Sequence, residues 1–428
     1  MRRLILAVTM ITALAAIPLT GFAAEDAPAK ALTLARALEK TLSHHPGLKV
    51  TEMNKRVKAA ERLQAGLRPN PELDLEAENF AGSGPYSGLD SLETTLTVGQ
   101  RLELGGKRNR RVQLAGLEED LADWDQTIQR QSVLGQAYLA FIDVLAAQQD
   151  AALSQELFQL AGEVDTLVKA RVEAGKISPL EAVKSEVAAA NAQFHWQQAQ
   201  SKLQAHRLTL SGFWGRSAPD FGAVTGHLET MDTLPPLAVL TTKMADNPEM
   251  VRLQTQKAHR NAGLALAKAE AVPDLTLKGG FRTTNESNDT GWVIGASMPL
   301  PLFNRNQGNI QRARHQVTRA DLAGKATENR IRVALSERWQ ALKTAYDQTT
   351  TLHDRILPAA ERAFDGISEG FKAGKFSYLD VLDAQRTYFE ARVQYTGVLA
   401  ELQRQKVILE QQIGRDLRDV ALGEWFHD

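Results

Sequence analysis

The residues best able to do chemistry in this 428-residue chain are few and scattered. Lys107, Arg108, Arg110 and Arg111 follow Gly105-Gly106, which resembles the makings of a phosphate cradle. The run lacks the first glycine with which a GxxxxGK loop wraps its backbone N–H groups around phosphate. A basic helix start beside anionic lipid headgroups is the better reading. His44-His45 is the one adjacent pair among nine histidines, with no HxxxH or HExxH spacing, so it reads as a surface loop before Pro46 rather than a metal site. Absence of cysteine excludes disulfides, thiolate nucleophiles, zinc–thiolate centres and an acylated N-terminal Cys. Asp380 and Asp383 lie one helical turn apart, which places two carboxylates on one face. No nucleophile, cofactor loop or ligand cluster emerges, so the expectation is a protein that is not an enzyme and holds no cofactor.

The elements that position these residues are unusually long. From Arg110 to Val172 no proline occurs, and Leu117, Leu121, Trp124, Ile128, Leu134, Tyr138, Phe141 and Leu145 fall three or four apart for most of their course. Such a seam predicts a coiled-coil-like rod, and about 60 residues at 1.5 Å each extend about 90 Å, beyond the diameter of a globular domain. Leu335, Trp339, Leu342, Tyr346, Thr349 and Leu352 repeat the seam. Only 6% of residues are aromatic, again favouring helices over a β-sandwich. Lys plus Arg number 50 against 51 Asp plus Glu, which argues against nucleic acid as a partner.

The chain is written twice. Pro71-Glu72-Leu73-Asp74-Leu75 matches Pro273-Asp274-Leu275-Thr276-Leu277, and Ala174-Gly175-Lys176-Ile177-Ser178 matches Ala373-Gly374-Lys375-Phe376-Ser377. Gly215-Arg216 and Gly414-Arg415 continue the match. The expected organisation is a signal peptide over residues 1 to 24, a first repeat over 25 to 216, a linker over 217 to 236 and a second repeat over 237 to 428. Arg2 and Arg3, the apolar run Leu4 to Leu19 and Gly21-Phe22-Ala23 carry the signal assignment. Each repeat opens with a helical segment (33 to 66, and 237 to 270). Strict alternation follows, predicting strands at about 72–80 and 91–104, then 274–283 and 290–298, each with one apolar and one polar face. That pattern fits strands between lipid and an aqueous lumen, or an exposed hairpin on a soluble scaffold. Four strands cannot close a barrel, and lipid tolerates no unpaired edge; three copies would supply twelve.

Where strand gives way to helix, Pro299-Leu300-Pro301-Leu302-Phe303-Asn304-Arg305-Asn306-Gln307-Gly308 and its counterpart Leu102-Glu103-Leu104-Gly105-Gly106-Lys107 carry the most specific signature. Pro299 and Pro301 stop the ladder, while Asn304, Asn306, Gly308, Gly105 and Gly106 supply turn conformations. With the repeats, these segments resemble the outer-membrane factors of TolC type, in their cobalt-zinc-cadmium resistance (CzcC-like) branch. The resemblance implies a mainly α protein with a small β part. It would be a homotrimer with a 12-stranded outer-membrane β-barrel, four strands per protomer, continuing into a periplasmic α-helical barrel. It implies a passive duct for divalent metal cations, fed by an inner-membrane resistance-nodulation-division pump through a periplasmic adaptor. Drug or other small-organic efflux is the alternative cargo, and a periplasmic coiled-coil scaffold the alternative class. It further implies adaptor contact at Gly175, Lys176, Gly374 and Lys375, and a periplasmic aperture lined by Asp380 and Asp383. Ser178 with Glu181, and Ser377 with Asp380, have the spacing of capping boxes that restart the helices at these tips.

Overall fold

Prolines and capping side chains decide where the helices begin. The computed structural model describes residues 31–228 and 233–414; the expected signal segment and Arg415 lie outside them. A two-residue strand β1 (Leu32–Thr33) leads into α1 (Leu34–His44), started by the Thr33 hydroxyl, which accepts from Arg36 N–H. Pro46 cannot continue that helix, because it lacks an N–H and clashes with the preceding turn, so it opens α2 (Pro46–Ala65). His45 Nδ1 accepts from Gly47 N–H at 3.1 Å. The single helix expected over 33 to 66 is therefore two, and His44-His45 is a helix junction rather than a loop.

β2 (Glu72–Glu78) and β3 (Glu93–Leu102) precede α3 (Lys107–Glu173), an unbroken helix of 67 residues that extends about 100 Å. α4 (Pro179–Gly212) returns along it. The connecting stretch then forms β4 (Val224–Thr225), parallel to β1. Gln148, midway along α3, clamps this pair: it accepts from Val224 N–H at 2.6 Å and donates to the Val224 carbonyl at 3.0 Å. Phe221 and Trp214 are buried against Phe141 and Leu145, so the segment expected as a linker is packed onto the rod where it is described.

The second repeat follows the same order: α5 (Leu237–Lys243), α6 (Pro248–Ala269), β5 (Leu275–Thr284), β6 (Asp289–Ser297) and α7 (Gln307–Thr351). Pro248 mirrors Pro46, with Asn247 accepting from Glu249 N–H at 2.7 Å. A five-residue π-helical stretch, Leu352–Ile356, separates α7 from α8 (Leu357–Lys372), and α9 (Tyr378–Ile413) completes the hairpin. Alongside α3, α2 and α6 pack on the half near the sheet, and α4 and α9 on the other half.

The four strands form one antiparallel sheet in the order β2-β3-β5-β6. Its register aligns Leu75, Leu96, Phe281 and Trp292 in a row on one face. On the opposite face Lys278 Nζ donates to Asp74 at 2.6 Å, and Arg282 reaches Glu93 at 2.9 Å and Thr95 at 2.9 Å. The burial is inverted relative to a sheet in water: Ile294 is 90% exposed while Thr97 is 8% exposed. β2 and β6 are free edges. Among the described residues, no helix is long and apolar enough to cross a membrane.

Candidate functional site: helix tips and strand-to-helix collar

At the end of the rods remote from the sheet, two short turns join α3 to α4 and α8 to α9. Gly175 (φ 69°) and Gly374 (φ 75°) adopt the left-handed conformation that a side chain resists. Beyond them Lys176 N–H and Lys375 N–H close on the carbonyls of Arg171 and Gly370 at 2.9 and 2.7 Å. These four residues are all exposed. The restarts differ. Ser377 and Asp380 form a complete capping box, with Asp380 Oδ2 accepting from Ser377 N–H at 2.8 Å and from Ser377 Oγ at 2.7 Å. Those bonds hold the Asp380 carboxyl below its ordinary value. At the other tip Ser178 Oγ accepts from Leu180 N–H at 3.3 Å, but the expected box with Glu181 does not form. The longer Glu181 side chain instead accepts from Lys184 at 3.0 Å. Asp383 accepts from Arg386 at 2.7 Å, with both side chains exposed, so its charge is balanced from within its own helix.

One cluster ties the tips together. Phe371 and Tyr378 are buried with Val168 and Val381, and the Arg171 guanidinium lies 4.3 Å over the Phe371 ring. Burial pushes the Tyr378 phenol up to about 12, with the carboxylates of Asp165 and Glu181 acting in the same direction. Asp165 meets Ser185 Oγ at 2.6 Å and Lys169 at 2.8 Å. Burial opposes its charge, yet these two partners together leave its carboxyl lowered. Sequence reasoning missed the apolar surface beside the turns. Leu180, Val183 and Val187 form an exposed stripe at i, i+3 and i+7 on α4, and Phe376 and Leu379 are exposed at the other tip. The spacing was visible; its outward direction was not.

At the sheet end, the C-terminus of α6 sits between the two strand-to-helix transitions. Gly105 and Gly106 are both left-handed, and a side chain on Gly105 would meet Val272 at 2.9 Å. Asn306 plays the corresponding part for α7 at φ 60°, and its amide donates to the Ala267 carbonyl at 2.7 Å. Asn304 Oδ1 accepts from Asn306 N–H at 3.0 Å. Gly308 departs from expectation: it lies in the first turn of α7 without a positive φ, and open space surrounds it. The basic cluster also departs. Lys107 donates to Asp274 at 2.6 Å, Arg111 makes a bidentate pair with Glu103, and Arg108 donates to the Gly66 carbonyl. Three of the four cations are thus spent inside the chain rather than offered to lipid headgroups.

The second transition is bare. After Ser297, the last ladder residue of β6, Leu300 and Leu302 are 70% and 64% exposed, and Phe303 is 90% exposed. Leu302 N–H turns back onto the Leu300 carbonyl at 2.9 Å. Among the described residues no group of three or more potential metal-ligating side chains occurs.

This geometry coincides with known proteins. The outer membrane efflux protein family matches residues 37–216 and 240–415. The chain is 33% identical to the cobalt-zinc-cadmium resistance protein CzcC of Cupriavidus metallidurans, over 82% of this chain and 83% of that one. It is 28% identical to the nickel-cobalt-cadmium resistance protein NccC of Alcaligenes xylosoxydans xylosoxydans, over 66% and 64%. The fold is similar to the open state of the Neisseria gonorrhoeae MtrE outer membrane channel, with a TM-score of 0.74 and 16% identity over 90% of this chain and 89% of that one. Two matched repeats, one per half, and a TolC-like arrangement of sheet and rods leave one conclusion: the chain belongs to the outer membrane efflux protein family, in its CzcC-like branch.

Proposed function

We propose that three copies of this chain form a passive conduit through which a tripartite efflux system discharges divalent heavy-metal cations of the cobalt, zinc, cadmium and nickel class. The observation that carries the conduit is the inverted sheet. Its exposed apolar face suits lipid, its charged face suits a water-filled lumen, and its two free edges demand neighbours. Four strands per protomer give twelve in a trimer. Likeness to CzcC and NccC, whose names record metal resistance, supports the cargo class. No reaction is catalysed; an inner-membrane pump supplies the energy.

The two repeats, divided at residues 217 to 236, each contribute two strands and one helical hairpin to the ring. Gly175, Lys176, Gly374 and Lys375 are the contact points for a periplasmic adaptor, supported by their exposure and by the apolar surface of Leu180 and Leu379 beside them. Asp380 and Asp383 face the periplasmic aperture. Asp380 stays ionised through its bonds to Ser377, and repeated around a threefold axis it would concentrate cations at the entrance. The deciding experiment deletes the gene and compares growth on zinc, cobalt, cadmium and nickel salts with growth on a panel of antibiotics. Reduced metal tolerance is expected; unchanged metal tolerance with greater antibiotic sensitivity would make the cargo organic.

A further inference from the structure

We propose that Met298–Phe303 is a lipid-immersed wedge, seated among the acyl chains of the periplasmic-side leaflet and extending the membrane contact of the barrel past its hydrogen-bonded rim. The inference rests on reading the sheet as a membrane barrel. Its first support is continuity. From Trp292 the alternate positions carry Trp, Ile, Ala, Met, Leu and Leu, ending at Leu302, whereas strand pairing ends at Ser297. The exposed apolar face of β6 therefore runs on after its ladder has stopped.

The second support is donor chemistry. Irregular backbone is excluded from lipid because water is absent to satisfy its N–H groups. Here the segment is depleted of them: Pro299 and Pro301 have no N–H, and the Leu302 N–H is closed onto the Leu300 carbonyl. Three of the four residues from Pro299 to Leu302 thus present no free donor. Polarity returns abruptly at Asn304-Arg305-Asn306-Gln307, where the Asn304 and Gln307 side chains bond the turn itself. Arg305 is exposed at the level where headgroup phosphates would lie.

Exposure on this scale is not shared by the other transition, where Leu102 and Leu104 are 39% and 38% exposed. The equivalent stretch after β3 is held by its own chain, with Glu103 paired to Arg111 and Leu104 N–H donating to Asp274 at 3.2 Å. A neighbouring subunit is the competing occupant, because β6 is an edge strand. Lipid is favoured over it because Pro299 and Pro301 cannot donate to an added strand.

The full chain contains no cysteine, so single substitutions Leu300→Cys, Leu302→Cys and Phe303→Cys each give one attachment point for a nitroxide. Ile294→Cys serves as the reference for the lipid belt and Arg305→Cys for the polar side. Labelled protein in nanodiscs of phosphatidylethanolamine and phosphatidylglycerol is probed with oxygen, which partitions into acyl chains, and with a water-soluble nickel chelate. The expected result is oxygen-dominated collision at 300, 302 and 303, as at 294, switching to chelate-dominated collision at 305. Chelate-dominated collision at the three test positions, with 294 still oxygen-dominated, overturns the wedge alone. Low collision with both probes overturns it in favour of cover by a neighbouring subunit. Chelate-dominated collision at 294 as well overturns the membrane reading of the sheet itself.

Discussion

The two repeats build the same rod by different means. In the first, α3 runs 67 residues without interruption. In the second, α7, the π stretch and α8 cover almost the same length, but the helix is rewound at Leu352–Ile356. Pro358 accounts for the difference: its missing N–H deprives the Asp354 carbonyl of a partner, and the wider turn makes room for its ring. Leu357 N–H accordingly bonds to Leu352, five residues back. Gln159, exposed on α3, stands where the repeat offset at the tips places Pro358. Fasteners differ as well. Phe158 stacks on Trp196 at 5.4 Å in the first hairpin, and Phe364 on Tyr388 at 5.5 Å in the second. Matching architecture therefore leaves each repeat free to choose where its hairpin bends and where it is pinned.

The strongest way to break the comparison is at the tips, where the second repeat supplies both aromatic rings of the shared cluster. Phe371→Ala is expected to cost about 3 kcal/mol or more, as large-to-small changes in packed clusters do. Its counterpart Val172→Ala should cost about 1 kcal/mol. Hydrogen exchange of the amides around both turns reads the difference, since local opening is measured there directly. Equal protection in the two variants would show that the cluster does not join the hairpins.

Next comes the rod. Gln159→Pro should cost about 3 kcal/mol, and should bring a new region of fast exchange in the part of α3 nearer the tips. Pro358→Ala should instead slow exchange around Asp354, because the replaced residue regains a donor. If neither substitution alters exchange, Pro358 is not the cause of the π stretch.

A smaller effect separates the caps. Ser377→Ala, which removes a two-way box, should cost about 1 kcal/mol or more, and Ser178→Ala, with its single 3.3 Å bond, a few tenths. Exchange at Asp380 and Leu180 reports each.

The smallest effect is pH-dependent. The Asp165 carboxyl is lowered in the folded protein, so its contribution is fully present above its unfolded value near 3.8 and is lost as pH falls through the lower folded value. The Tyr378 phenol is raised, so its contribution holds below 10.0 and is lost as pH rises towards about 12. Tip-amide protection relative to the intrinsic exchange rate at each pH should therefore fall at both extremes, while Tyr378→Phe removes only the alkaline arm. An alkaline arm that survives Tyr378→Phe would assign it elsewhere.

How much of this was legible beforehand depended on the range of the interaction. Alternation at Leu73, Leu75 and Trp292, Ile294 exposes the two faces of the sheet because it is local, and the glycine turns at 175 and 374 are equally local. The uses of Lys107, Arg108 and Arg111 were hidden, because Asp274 and the Gly66 carbonyl come from segments that only folding brings near. The β1–β4 pair was invisible for the same reason: two residues have no period. Pro358 stood in plain sight, but the amphipathic seam continues through it, so periodicity alone gave no warning. Glu181 shows the limit of motif spacing, since a box-compatible residue took Lys184 instead.

The central ladder of the sheet joins β3 to β5, pairing Glu93 with Thr284 and Leu102 with Leu275. These partners belong to opposite halves of the polypeptide, so a nascent chain emerging into the envelope cannot zip its hairpins together until the strand ending at Ser297 has been delivered. Until then the first hairpin waits with the β3 edge unpaired, a delay that the long sequence separation of the two strands imposes.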